Sequence, residues 1–175
     1  MLRAAAENPD IGLIGCEPFI NGLAKTLSRI QTLGLANIRL YAGDAADLIS
    51  WLPSGSLGRV FLFFPDPWPK RRQRKRRFLS EKNLVALALA MRSGAELRFA
   101  TDIDDYSGWT LARVLRSPDF IWPAERSDDW NRPWEGWRET RYEAKARQAG
   151  HRAVYLTFFK RTDQVERVQP RARAR

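Results

Sequence analysis

Phe63-Phe64-Pro65-Asp66-Pro67-Trp68-Pro69-Lys70-Arg71-Arg72-Gln73-Arg74-Lys75-Arg76-Arg77 is the stretch from which the fold of this chain is read. It is entered by Val60-Phe61-Leu62-Phe63-Phe64, an apolar run too short and too rich in β-formers for a helix, which reads as a buried strand. Pro65 stops the strand. Pro67 and Pro69 forbid helix and ladder alike, so the spacing predicts a stiff extended loop carrying one carboxylate, Asp66, and one large aromatic, Trp68. Seven of the eight residues from Lys70 to Arg77 are Lys or Arg. A lone carboxylate at a strand end beside a dense cationic run implies a site that handles a small charged ligand next to a polyanion.

Outward from this stretch, strands alternate with helices. Upstream, Met1 to Glu7 reads as the end of a helix. Residues 11–16 read as a strand ending at Glu17, 19–33 as an amphipathic helix, 37–41 as a strand followed by Gly43-Asp44, and 45–52 as a short helix. The spacing puts Ile20, Leu23, Ala24, Leu27, Ile30 and Leu33 on one helix face, with Gly34 as the stop. Downstream, Ser80 with Asn83 opens a helix to about Met91. Residues 95–100 form a strand followed by Thr101-Asp102, 103–115 a helix, 117–137 an irregular segment with a strand at 120–122, 140–149 a helix and 153–159 a last strand. This alternation predicts an α/β fold with a mostly parallel sheet covered on both faces. In such sheets ligands sit beyond the carboxyl ends of the strands. Four acids fall at those ends: Glu17, Asp44, Asp66 and Asp102. Taken singly, Asp44 and Asp102 also suit plain helix N-caps and Glu17 an ordinary solvated loop carboxylate; together at one edge they read as a site.

The chain has 175 residues, enough for one domain with a real core. Its net charge of +10 and sequence pI near 10.4 point to a polyanionic partner, nucleic acid before anionic membrane. No apolar run approaches the roughly 20 residues of a membrane span, and the N-terminal residues lack the order of a signal peptide. One cysteine, Cys16, forms no internal disulfide, and a cytoplasmic location is the simple reading. One Cys and one His argue against a zinc site, and no metal is expected. Cys16 is expected to be a buried strand residue and His151, after Gly150, a structural one. The tail from Thr162, ending Arg171-Ala172-Arg173-Ala174-Arg175, lacks apolar periodicity and is expected to be disordered.

The order strand-Glu, strand-Gly-Asp, strand-Pro-Asp-Pro-Trp, strand-Thr-Asp resembles the Rossmann-like class I S-adenosylmethionine-dependent methyltransferases, and within them the bacterial tRNA (guanine-N7-)-methyltransferases. The likeness is carried by Ile14-Gly15-Cys16-Glu17, Gly43-Asp44-Ala45, Phe63 to Trp68 with Lys70 and the basic run, Ala100-Thr101-Asp102, and Thr140-Arg141-Tyr142-Glu143 before Gly150-His151. It covers nearly all of residues 8–160. The resemblance implies S-adenosylmethionine as cofactor and N7 of a guanine in the variable loop of tRNA as acceptor. It implies that Glu17 bonds the cofactor ribose, that Asp44 lies near its adenine, and that Asp66 is the active-site acid, also counted with the cofactor contacts. It further implies that Lys70, Asp102, Thr140, Arg141, Tyr142 and Glu143 contact substrate and that Arg72, Gln73, Arg74, Lys75, Arg76 and Arg77 meet RNA. The family's first strand and glycine-rich turn have no counterpart before Glu17. The expectation is therefore a methyltransferase domain over 1–161, lacking its N-terminal part, with Met1 an internal methionine and residues 162–175 a basic tail; the protein is expected to be a monomer or homodimer.

The chemistry suits these residue types. Guanine N7 carries an in-ring lone pair and no proton, so no general base is required to make it a nucleophile. Methylation places positive charge on the purine, and the sulfonium donor is also cationic. Carboxylates that orient both and offset the charge are what such a site requires. A second reading stays open: an inactive RNA-binding relative that uses the basic run without chemistry. A third, an anionic-membrane binder, lacks the amphipathic basic helix it would need. Of the tryptophans, Trp109 and Trp122 read as packing, while Trp130, Trp134 and Trp137 lie in a loop suited to contact with bases.

Overall fold

The computed structural model describes residues 1–162; the basic tail expected at 162–175 lies, but for its first residue, outside them. The chain clusters into two compact units, Met1–Pro53 and Ser54 onward.

In the first unit, α1 (Leu2–Glu7) precedes β1 (Leu13–Cys16), α2 (Ile20–Thr32), β2 (Ile38–Tyr41) and α3 (Ala45–Ile49). β1 and β2 pair in parallel, Leu13 opposite Ile38 and Cys16 opposite Tyr41. Ala5, Ile30 and Ile38 are buried together, with Leu2, Leu13, Leu35 and Leu40 packed around them. The side-chain amide of Asn37 knits this unit by donating to the carbonyls of Ala5, Asn8 and Ile11. Helix α2 ends as its sequence predicts, at Gly34 with φ +63°. Its apolar face is less covered than the periodicity suggests: Ile30 is buried, while Ile20, Leu27 and Leu33 are exposed. Cys16, expected inside, is exposed.

In the second unit, β3 (Leu57–Phe63), α4 (Glu81–Ala90), β4 (Met91–Thr101), α5 (Asp104–Val114), β5 (Phe120–Ile121), α6 (Asp128–Asn131), α7 (Arg141–Gln148) and β6 (Val154–Lys160) build a four-stranded sheet of order β3-β4-β6-β5. β3 and β4 are parallel, with Phe63 opposite Ala100. β6 runs antiparallel to both β4 and β5. The α/β architecture therefore carries two sheets: a parallel pair, β1–β2, and a mixed one, parallel at β3–β4 and antiparallel where β6 joins β4 and β5. Helix α7 is followed by Gly150 at φ +81°, and the chain then enters β6. Leu79, Leu84, Leu87, Leu97, Phe99, Tyr106, Val114, Phe120, Leu156 and Phe158 form the buried interior. β3 is an edge strand, and Phe61, which the apolar run suggested was inside, is 47% exposed.

Candidate active site

Parallel pairing places the four acids in two pairs. Glu17 and Asp44 follow β1 and β2 at the carboxyl edge of the first sheet. Asp66 and Asp102 follow β3 and β4 at the carboxyl edge of the second.

The Glu17 carboxylate is set by its own loop. Its Oε1 accepts from the Phe19 backbone N–H at 3.0 Å, and a Cβ on Gly22 would stand 2.9 Å from Oε2. Gly22 thus leaves the space that the carboxylate occupies. Asp44 is the N-cap of α3, its Oδ1 accepting from the Ala46 N–H at 2.9 Å, so the capping role is realised. A cap occupies one oxygen and leaves the other to a ligand. Partial desolvation, and then the Asp44 charge, raise the Cys16 thiol above its ordinary value although the residue is exposed.

Asp66 is exposed in a loop whose backbone is not simply extended: Phe64 and Trp68, on either side of Pro65-Asp66-Pro67, have φ of +49° and +43°. Two bulky L-residues in the left-handed region mark a strained segment held by its surroundings. At one end the Phe64 N–H donates to the Ala100 carbonyl at 2.8 Å. At the other the Pro67 carbonyl accepts from Nε of Arg77 at 2.7 Å. The basic run then coils into a 3-10 helix, Arg71–Arg76. Arg71, Arg72, Lys75 and Arg76 are exposed, as is Lys70 before them, and the Arg76 guanidinium lies 4.5 Å from the Trp68 ring. Gln73 and Arg74 are half-buried, Arg74 pairing with Asp105 at 2.7 Å. Arg77 does not belong with the expected RNA contacts: it is 1% exposed, closed in by the elements it bonds. That role was hidden because burial of a single cation at the end of a cationic run leaves no mark in composition. The Arg77 hydrogen bond holds the Asp105 carboxyl below its usual range.

Asp102 does not cap α5; the N-cap position is Ile103, whose N–H is taken by Thr101 Oγ1 at 3.2 Å. The Asp102 carboxylate instead lies 3.6 Å from Nδ1 of His151, a neighbour that sequence reading set aside as structural.

Thr140 and Glu143 close a capping box at the start of α7. Thr140 Oγ1 accepts from the Glu143 N–H at 3.1 Å, and Glu143 Oε2 accepts from the Thr140 N–H at 3.3 Å and from Trp137 Nε1 at 2.8 Å. Glu143 Oε1 accepts from the Tyr155 hydroxyl, which burial and this carboxylate together raise in pKa. Both oxygens are therefore engaged within the fold. The Thr140-x-x-Glu143 spacing is also the sequence signature of a capping box. Arg141 and Tyr142, between the two, are exposed, with the guanidinium 4.8 Å from the phenol ring. Trp134 and Trp137 pack with Phe63 and Tyr155, and Trp134 Nε1 donates to Thr157 Oγ1 at 2.7 Å; these two serve packing. Trp130 packs on Trp122 at 5.4 Å.

Among solved structures, an rRNA methylase from Streptococcus thermophilus matches with a TM-score of 0.57 at 12% identity, over 86% of this chain and 74% of that one. The [4+2]-cyclase SpnF matches at 0.60 and 13% identity, over 92% and 70%. One is named for methylation and the other for cyclisation, so these likenesses establish the fold alone. By sequence, the tRNA (guanine-N(7)-)-methyltransferase of Rhodopseudomonas palustris strain BisB5 is 52% identical over 90% of this chain and 62% of its own length. The enzyme of the same name from Bradyrhizobium diazoefficiens strain USDA 110 is 52% identical over 90% of this chain and 67% of its own. The chain thus spans a little under two thirds of the length of the first of these curated relatives. A family model described as "Putative methyltransferase" matches residues 1–156. With that match over most of its length, carrying the acids of both sheet edges, the chain belongs to this methyltransferase family.

Proposed function

We propose that the protein transfers a methyl group from S-adenosylmethionine to N7 of a guanine in the variable loop of tRNA, as a cytoplasmic enzyme. The observation that carries this reading is Asp66, exposed between two left-handed residues at the carboxyl end of β3 and followed by a solvent-facing row of cations. The names of the relatives agree with it.

The residues present fit the cofactor. A ribose diol needs a fixed carboxylate with acceptor capacity to spare. Glu17 offers one, with a single oxygen anchored to the Phe19 N–H and the other set against the bare Cα of Gly22. Asp44, a cap with one oxygen engaged, suits the adenine side. When bound, S-adenosylmethionine supplies a sulfonium methyl group open to attack by a lone pair. Asp66 orients the purine and offsets the charge that N7 gains as its bond to carbon forms. Lys70 and Asp102 flank the purine, with Asp102 held near His151. Lys75, Arg72 and Arg76 meet phosphates together with Arg71, while Gln73 and Arg74 stand behind them. Arg141 and Tyr142 are the substrate-facing members of their motif. Thr140 and Glu143 contribute by shaping the turn that presents them. Within the described residues no three His, Cys, Asp or Glu side chains form a group able to hold a metal, and no helix is long and apolar enough to cross a membrane.

The test is methyl transfer from labelled S-adenosylmethionine to unmodified tRNA, followed by nucleoside digestion. The expected product is 7-methylguanosine, and Asp66→Ala is expected to lose about 100-fold or more in rate with its circular dichroism unchanged. Salt-sensitive tRNA binding with no 7-methylguanosine would leave the protein an RNA-binding relative without chemistry. Full activity in Asp66→Ala would remove that residue from the reaction.

A further inference from the structure

We propose that Arg77 is a positioning residue for the reaction: its buried guanidinium fixes the Asp66 loop against the start of α5, and so sets the relation between the Asp66 and Asp102 ends of the second sheet. This rests on the methyltransferase reading of Asp66 given above.

The loop from Phe64 to Pro69 is poor in means of holding itself. Three of its six residues are prolines and donate no backbone hydrogen bond. Two others, Phe64 and Trp68, sit at positive φ, a conformation that bulky L-residues avoid unless something external imposes it. The strand-side anchor is the Phe64 N–H on the Ala100 carbonyl. The far anchor is the Pro67 carbonyl, one residue beyond Asp66, and its donor is Arg77 Nε at 2.7 Å.

The other arms of the same guanidinium reach the first turn of α5. Nη1 donates to the Asp105 carbonyl at 3.2 Å and Nη2 to the Asp105 carboxylate at 2.5 Å. Its flat faces meet Tyr106 and Trp109, with ring centres at 4.7 and 5.4 Å. The Tyr106 hydroxyl in turn accepts from the Phe78 N–H, which fixes the chain just beyond Arg77. Asp105 lies three residues after Asp102, and β4 runs beside β3 in parallel. One planar fork therefore joins the segments that follow two adjacent strands, each of which carries a candidate site acid. Three donors on three acceptors in two elements is a geometry that an ammonium group does not reproduce. A fully enclosed cation makes no phosphate contact, which separates Arg77 from the exposed residues before it.

The decisive variant is Arg77→Lys, which keeps the charge and loses the fork. Its circular dichroism is expected to match that of the parent. Its tRNA affinity and log–log salt slope should also match, because no phosphate contact is lost. Its kcat is expected to fall about 10- to 100-fold with KM for tRNA within about threefold, since displacement of a reacting group by about 1 Å costs on that order. In amide NMR spectra the Asp66 and Trp68 resonances should move together with those of Asp105 and Tyr106. Asp105→Asn, which changes a partly exposed side chain and keeps the backbone acceptor, should give a smaller drop in the same direction. It decides the matter if Arg77→Lys fails to fold. A kcat unchanged in the variants, or a salt slope lowered by about one contact with kcat intact, overturns the proposal. If the parent protein itself makes no 7-methylguanosine, the functional reading fails separately, and the NMR comparison alone decides: unmoved Asp66 and Trp68 resonances refute the coupling, and moved ones sustain it.

Discussion

Glu143 accepts hydrogen bonds from Trp137 Nε1, the Thr140 N–H and the Tyr155 hydroxyl, and so ties the irregular segment before α7 to β6 across one carboxylate. Removing it strands three donors in a half-buried place, and each such loss costs about 1–3 kcal/mol. Glu143→Ala is expected to lower stability by about 3 kcal/mol in urea unfolding, and Glu143→Gln, which keeps an acceptor and a shape match, by about 1 kcal/mol. Equal stability in both variants with activity lost would make Glu143 a substrate contact after all. The residue scale is also where sequence reading was weakest. The placement of Asp44 and Asp66 at strand ends was legible, because one follows a strand and Gly43 and the other a strand and Pro65. The burial of Arg77 was not, because it closes a run of cations most of which face solvent, and only its packing on α5 distinguishes it. His151 was missed as a neighbour of Asp102 because the two lie 49 positions apart and meet only where β6 pairs with β4.

At the scale of elements, the helices announced themselves by their caps. Ser80 accepts from the Asn83 N–H at the start of α4, and Gly34 and Gly150 take positive φ at the ends of α2 and α7. What periodicity misjudged was how much of each apolar face is covered, since Ile20 on α2 and Phe61 on β3 face solvent. Strand direction at the C-terminal side was equally silent, because an apolar run such as Val154 to Phe159 reads alike in parallel and antiparallel pairing. Helix α2 yields a prediction that separates stability from binding. Gly22→Ala adds a methyl group where the Glu17 carboxylate lies, 2.9 Å away. The carboxylate is flexible and gives way, while alanine gains helix propensity of about 0.5–1 kcal/mol. The expected result is a thermal midpoint unchanged or raised, with S-adenosylmethionine affinity lowered about tenfold by calorimetry. A variant that binds as tightly as the parent would release Glu17 from the cofactor role.

For the molecule's stability as pH rises, two buried phenols are expected to matter. Burial pushes Tyr106 up to about 12, and burial with the Glu143 bond raises Tyr155 as well. Both ionise more readily in the unfolded chain, near the ordinary tyrosine value of about 10. Their contribution is therefore complete below about pH 10 and is lost as pH climbs from there toward 12. Unfolding midpoints measured from pH 9 to 11.5 should fall steeply in the parent and more gently in Tyr106→Phe. A parallel fall in both would assign the loss elsewhere.

The left-handed backbone at Phe64 and Trp68 bears on how this protein would respond to selection for robustness. Glycine accepts that conformation without strain, so Phe64→Gly or Trp68→Gly would relieve a local cost on the order of 1 kcal/mol while giving up rigidity and, at Trp68, the Arg76 contact. A loop freed in this way samples many orientations of Asp66 where the parent holds one. Screens that reward survival on heating would tolerate glycine here, and screens that reward turnover would reject it. The protein keeps a conformation its own residues disfavour, and that tension is a reserve that a hardier, slower variant would have spent.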